Sequence, residues 1–234
     1  MSEAAPAREL SDKDINLVRR RARVLLLLDA AERAGVAPLS TDRLHAFAFL
    51  ADVLSPVWHL RSDDRFVVKD TGGPFYPELQ REMDRLPIAG LLEIRDIGYI
   101  DRPHGGARIS GRYSLRFESE HLPAVLEKLG ARGEEGALDP ADTQLHQFLV
   151  ELAGALARLP DDEIDSAAAA DVTYSDRAID NRNLVYFDSA ADGTNRSVET
   201  AQRFEKFMPE GARLSPGEKL YLYATYLGRR VHGS

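Results

Sequence analysis

Cysteine is absent from this 234-residue chain. That excludes a disulfide framework, a thiolate metal site and a thiol nucleophile, and it suits a reducing compartment. Long apolar runs are missing as well. Stretches such as Val24–Leu28 fall far short of the ~20 residues that cross a bilayer as a helix. The opening residues, MSEAAPARELSDKD, are polar and acidic rather than a secretory signal. The expectation is a soluble, cytoplasmic protein with no membrane partner. Catalytic signatures are equally scarce. There is no G-x-S-x-G elbow, and the six histidines (His45, His59, His104, His121, His146, His232) stand apart, with no H-x-x-x-H or H-E-x-x-H pair. No catalytic residue, no metal and no cofactor is therefore expected.

Hydrophobic residues make up 44% and charged residues 29%, an ordinary balance for a chain with a sizeable core. The net charge of −8 is unevenly spread. Residues 1–56 carry eight basic and eight acidic side chains, residues 57–117 ten and nine, and residues 118–234 twelve and twenty-one. The acid excess lies in the last segment. Non-specific nucleic-acid binding by the whole chain is disfavoured, since it needs phosphates neutralised by Lys and Arg. The first half is not excluded by this argument.

Helical periodicity runs from about Asp12, capped by Ser11, to Gly35, and a second helix follows Ser40 or Thr41 as far as Ser55-Pro56. The second is apolar on most sides and belongs at the centre of the N-terminal core. Residues 57–76 read as irregular. A proline-started helix spans Pro77 to about Ala89, loosened by Pro87 and ended by Gly90. Then LLEIRDIGYIDR, PHGG and ARISGRYSLRF give a β-hairpin over 91–117, with Gly98 and Gly111 marking bulges or close packing. Beyond it come a helix near His121–Leu129, the acidic loop ARGEEGALDP, a long helix from Pro140 to Pro160, and a short one at Ile164–Ala170. An extended segment at 183–187 precedes a helix capped by Asn195 or Ser197, and the capping box Ser215–Glu218 opens the last helix. The expected fold is α+β and mainly helical. A winged-helix-like N-terminal half (1–117) with a hairpin wing precedes an acidic, mainly helical C-terminal half (118–234).

The glycine pair in TGGPFYPELQREMDRLPIAGLLEI (71–94) fits neither a P-loop nor a dinucleotide turn, and no lysine follows, so it reads as a turn into a helix. That helix precedes the hairpin, as the groove-reading helix of a winged helix does. Arg81 and Arg85 could reach phosphates or a partner, but Glu78, Glu82 and Asp84 beside them favour a solvated face or a protein contact. On the hairpin's second strand Arg108, Ser110, Arg112, Ser114 and Arg116 alternate onto one face, and Arg95 and Arg102 join them from the first. This basic stripe suits a nucleic-acid backbone or an acidic protein surface; the bland alternative is a solvated face paired with Glu93 and Asp101. The cluster Arg19-Arg20-Arg21 and Arg23 points in several directions around a helix. Asp188 to Glu199 has the length of a calcium loop, but Ala190 stands at its third position, where a ligand is needed, and Asn195 replaces the usual apolar residue at position eight. Asp161, Asp162, Glu163 and Asp165 read as an acid-rich helix start. Tyr221, Tyr223 and Tyr226 lie around one helix, too widely for one face to bury, which marks Tyr221 and Tyr226 as partner-contact candidates beside a core-helix reading.

Four features together resemble a known family: the helix LHAFAFLADVLSP (44–56), the Gly-Pro turn into GPFYPELQREMDRLPIAGLLEI, the hairpin, and the D-x-x-Y segment Asp171–Tyr174 before NLVYF. The arrangement is similar to the middle component of the bacterial ABC-three-component systems, the group that includes the Lamassu anti-phage systems. The resemblance covers most of the chain. It implies a non-catalytic accessory subunit that bridges an SMC-like ATPase and an effector, often a nuclease. Two other readings of the same residues stand beside it, a winged-helix DNA-binding regulator and an antitoxin-like binding protein.

Overall fold

The chain is seen in a computed structural model, which describes residues 11–70, 72–101, 107–129, 140–160, 163–187 and 195–233. The architecture is α+β, with eight α-helices and two three-stranded antiparallel sheets among the described residues.

Helix α1 (Asp12–Arg33) opens with a reciprocal capping box between Ser11 and Asp14. Its C-terminal half buries Val24 to Leu28, Ala30 and Ala31. A two-residue strand, β1 (Leu39–Ser40), leads into α2 (Thr41–Leu54), capped by the Ser40 hydroxyl. Every residue of α2 from Leu44 to Leu54 is buried, as an all-round apolar helix requires.

Residues 57–76, expected to be irregular, contain two strands. After a 3₁₀ turn at Ser55–Trp58, β2 (Phe66–Asp70) and β3 (Gly73–Phe75) form a hairpin. Gly73 sits at φ 123°, open to glycine and strained for other residues, which explains one member of the glycine pair. β2 also pairs with β6 (Leu184–Tyr186), giving the order β3-β2-β6. The strand was illegible locally because half of its pairing partners lie far downstream.

Helix α3 (Pro77–Arg85) ends earlier than Ala89, since Pro87 has no N–H to donate and Gly90 turns at φ 71°. The hairpin strands β4 (Leu92–Asp101) and β5 (Ala107–Leu115) follow, and β1 pairs with the root of β5, giving the order β1-β5-β4. Next come α4 (Leu122–Lys128), α5 (Pro140–Leu156), α6 (Ile164–Ala169), α7 (Arg196–Arg203, capped by Asn195) and α8 (Pro216–His232). The Ser215–Glu218 capping box is formed at the start of α8.

Elements from before and after residue 117 share one core. α5 packs on α1, α6 and α7 pack on α2, and β6 completes the sheet begun by β2. The acidic loop between α4 and α5 lies mostly outside the described residues, as do Asp161, Asp162 and residues 188–194 of the calcium-like segment. No described helix is long and apolar enough to cross a membrane.

Candidate functional site

Four polar clusters lie inside the core. In the largest, Arg23 of α1 donates from Nη2 to Asp52 Oδ2 (2.7 Å) and the Ala48 carbonyl (3.1 Å), and from Nη1 to Asp64 Oδ2 (2.5 Å). The Tyr76 hydroxyl donates to Asp52 Oδ2 (2.6 Å), and the backbone N–H groups of Asp63 and Asp64 reach Oδ1 (3.1 and 3.4 Å). Burial pushes the Asp52 carboxyl up to about 6, against the pull of the Arg23 guanidinium. Burial opposes the Arg23 charge too, but Asp52 and Asp63 outweigh it and hold its pKa above the ordinary value. The beside-lying cavity, lined by Arg23, Asp52, Ser55, Arg61 and Phe148, is about 20 Å³, room for one water. With its lone pairs occupied, Asp52 serves to tie α1, α2 and the segment before β2 together.

The second cluster centres on Asp171, which is fully buried. Its carboxylate accepts from Ser197 Oγ (2.8 and 2.9 Å), Tyr223 OH (2.6 Å), Thr173 N (2.8 Å) and Tyr174 N (3.1 Å). Burial raises its pKa above the usual carboxylate value, and these donors pull it back. The D-x-x-Y segment thus anchors α7 and α8, and the Tyr174 hydroxyl donates onward to the Asp70 carbonyl at 3.1 Å. In the third, His146 Nε2 of α5 lies 2.8 Å from Asp29 Oδ2 of α1, and Arg33 Nε donates to the same oxygen at 2.6 Å. Burial acts to raise the Asp29 pKa, but these two partners hold it below the ordinary value. In the fourth, His45 Nδ1 accepts from the Tyr76 N–H at 3.2 Å, so Nε2 carries the proton and donates to Gln80 Oε1 at 3.1 Å. All four clusters are occupied by their own neighbours. Among the described residues no group of His, Asp and Glu is arranged to hold a metal ion.

Exposed basic and apolar side chains come together on the hairpin. Its root is packed, with Leu92, Tyr113 and Leu115 buried. Its strands pair in register from Leu92↔Leu115 to Arg95↔Arg112, and again from Gly98↔Ser110 to Asp101↔Ala107. Between them a β-bulge sets Asp96 and Ile97 against the single residue Gly111, with Asp96 at φ 53°. The close-packing role expected of Gly111 is met there, since an added Cβ would lie 2.8 Å from Ile94 Cγ2 and 3.3 Å from the Arg95 carbonyl.

This bulge has a consequence for the surface. Strict alternation would put Ile97 and Tyr99 beside Arg95 on the outer face; the extra residue moves them to the face of Ile109 and Tyr113. Beyond the core they are uncovered: Ile97 is 65% exposed, Tyr99 76% and Ile109 36%. No local pattern in the sequence singles out Ile97 and Tyr99. The one signal for them was Gly111, a strand residue without a side chain facing two residues.

On the outer face, Arg95 and Arg112 are cross-strand partners. Arg95 donates to Glu93 at 2.9 and 3.1 Å, whereas the exposed Arg112 and Arg116 make no ion pair among the described residues. Arg108 is placed by its backbone opposite Ile100, and Arg102 lies outside the described residues. The bland pairing with Glu93 therefore holds for Arg95. Arg81 and Arg85 are exposed on α3 but bonded to Glu78 (2.5 Å) and Glu82 (3.2 Å). Arg20 and Arg21 of α1 reach the same two carboxylates, so α3 is fastened to α1 through its acids. Glu82 is buried, not solvated as the helix pattern implied.

The three tyrosines of α8 are each engaged within the chain, because α5, α6, α7 and the 3₁₀ turn at Ser55–Trp58 pack around the helix. Tyr223 is buried on Asp171, Tyr226 packs against Phe204 and accepts from Arg230 at 3.1 Å, and Tyr221 lies under the Arg158 guanidinium at 4.4 Å. Tyr221 and Tyr226 are half-buried. Comparison with protein-family models, with curated proteins and with solved structures finds no match to this chain.

Proposed function

We propose that the chain is a non-catalytic accessory subunit of a multi-protein anti-phage defence complex, bridging an SMC-like ATPase and an effector, with a winged-helix-like N-terminal half. One observation carries the reading. The buried ionisable clusters are saturated by internal partners and join elements, while one hairpin brings together the exposed Arg112 and Arg116, which make no ion pair among the described residues, and the uncovered Ile97 and Tyr99. Such a division suits a protein that acts by contact. The order α1-β1-α2-α3-β4-β5 with strand order β1-β5-β4 supports the winged-helix description, the β2–β3 hairpin being an insertion between α2 and α3. The test is genetic and biochemical. Genes for an SMC-like ATPase and an effector are expected beside this one, and the three products are expected to co-purify on co-expression. Neighbours of neither kind, or an ATPase product that elutes apart from this chain, would sink the proposal.

A second reading has its own support. Arg112 and Arg116 are exposed and make no ion pair among the described residues, so the same module could meet duplex DNA as a regulator. In that case duplex binding falls steeply with salt and is lost on R112E/R116E. Unchanged mobility of a duplex at low salt rules it out.

A further inference from the structure

We infer that the free edge of β4 is a docking site for an extended peptide segment of a partner, one whose side chains alternate acidic and apolar. The inference deepens the contact-subunit reading and rests on it. Among the described residues β4 is the terminal strand of its sheet, and its only extensive contact is with β5. The direction of its backbone groups follows from Gly111. Both the N–H and the carbonyl of Gly111 bond Thr41 Oγ1 (3.0 and 3.3 Å), on the side away from β4. Alternation then directs the backbone of Ser110, Arg112 and Ser114 toward β4, onto Gly98, Arg95 and Glu93. The N–H and carbonyl groups of Ile94 and Tyr99 consequently point outward, one on each side of the bulge, along an edge with no further strand among the described residues, while Leu92, turned the same way, is buried.

The chemistry of the occupant follows from the two faces beside that edge. A strand added to β4 places alternate side chains next to Arg95 and the neighbouring Arg112 on one face, and next to Ile97 and Tyr99 on the other. A carboxylate meets Arg112, which makes no ion pair among the described residues, Arg95 being held by Glu93, and Ile97 and Tyr99 are covered by apolar side chains. A two-stranded ribbon projecting from a core is marginal by itself, and a third strand stabilises it. A second copy of this chain fits poorly. Its three partly exposed apolar side chains, Ile97, Tyr99 and Ile109, fall well below the ~800 Å² per partner of a standard interface. Duplex DNA would meet the arginines but leave the backbone edge unpaired.

The probe is a fluorescein-labelled octapeptide alternating glutamate and valine, titrated into the full chain at low and high salt with anisotropy as the readout. Saturable binding is expected, weakened at least tenfold when alternate peptide nitrogens are methylated or lysine replaces glutamate. The exposed changes R95E/R112E and Tyr99→Asp should weaken it similarly, with circular dichroism confirming that each variant is folded. Absent binding, binding indifferent to N-methylation, or displacement of the peptide by a 20-base-pair duplex of higher affinity overturns the inference. If the peptide fails while the three gene products still co-purify, only the edge assignment falls. If the peptide binds and the products do not co-purify, only the proposed complex falls.

Discussion

Asp171 shows how one residue can hold a fold together without a counter-charge. Its carboxylate collects two backbone N–H groups and two hydroxyls from three parts of the chain. Asp171→Ala strands those donors in a dry site, and a loss of about 3 kcal/mol is expected, read from the urea midpoint at unchanged slope. Asp171→Asn, which keeps an acceptor, should lose less. Asp52 makes a prediction in pH. Its pKa rises from 3.8 unfolded to about 6 folded, chiefly through burial, so the native state holds the proton more tightly. The associated stability is fully present below the unfolded value and is lost as pH rises through about 6. Asp171, also raised by burial, acts in the same sense, and Asp29, held low by His146 and Arg33, acts in the opposite one at more acidic pH. Stability of the wild type is thus expected to fall by about 2–3 kcal/mol between pH ~4 and ~6.5 from Asp52. Asp52→Asn should flatten that part of the profile, and an unaltered slope in thermal melts would contradict the assignment.

Elements depend on chain-local signals and on neighbours in different proportions. The helix starts were legible because capping is local: Ser11, Ser40, Asn195 and Ser215 each accept a backbone N–H from within their own first turn. Ser215→Ala should cost about 1 kcal/mol by removing the α8 capping box. The hairpin was legible from its composition and turn, but its bulge was not, since a register shift is a property of two strands. Gly111→Ala tests that packing. The added methyl meets Ile94 and the Arg95 carbonyl, so a loss of about 1–3 kcal/mol and chemical-shift changes centred on Asp96 and Ile97 are expected. β2 was missed for the complementary reason: its partner β6 is brought to it only by the packing of α6 and α7 on α2.

For the whole molecule, the division at residue 117 separates composition more than structure. Residues 1–117 alone would leave α1 without α5, α2 without α6 and α7, and β2 without β6. That fragment is expected to unfold at low urea without a sharp transition, whereas the full chain unfolds in one cooperative step. A cooperative transition in the isolated fragment would show that the second half only leans on the first.

The sequence by itself determined the α+β class, the caps, the central all-apolar helix α2, the hairpin and the arginine alternation along β5. These follow from short-range steric and hydrogen-bonding rules that act within a few residues. Tertiary structure decided the rest. Folding engaged Glu78 and Glu82 of α3 in bonds to α1, buried Tyr223 and half-buried Tyr221 and Tyr226, so groups that looked free along the chain gained internal partners. It also left Ile97 and Tyr99 bare, because a single extra residue opposite Gly111 reversed the faces of a strand whose outer edge no other described strand covers.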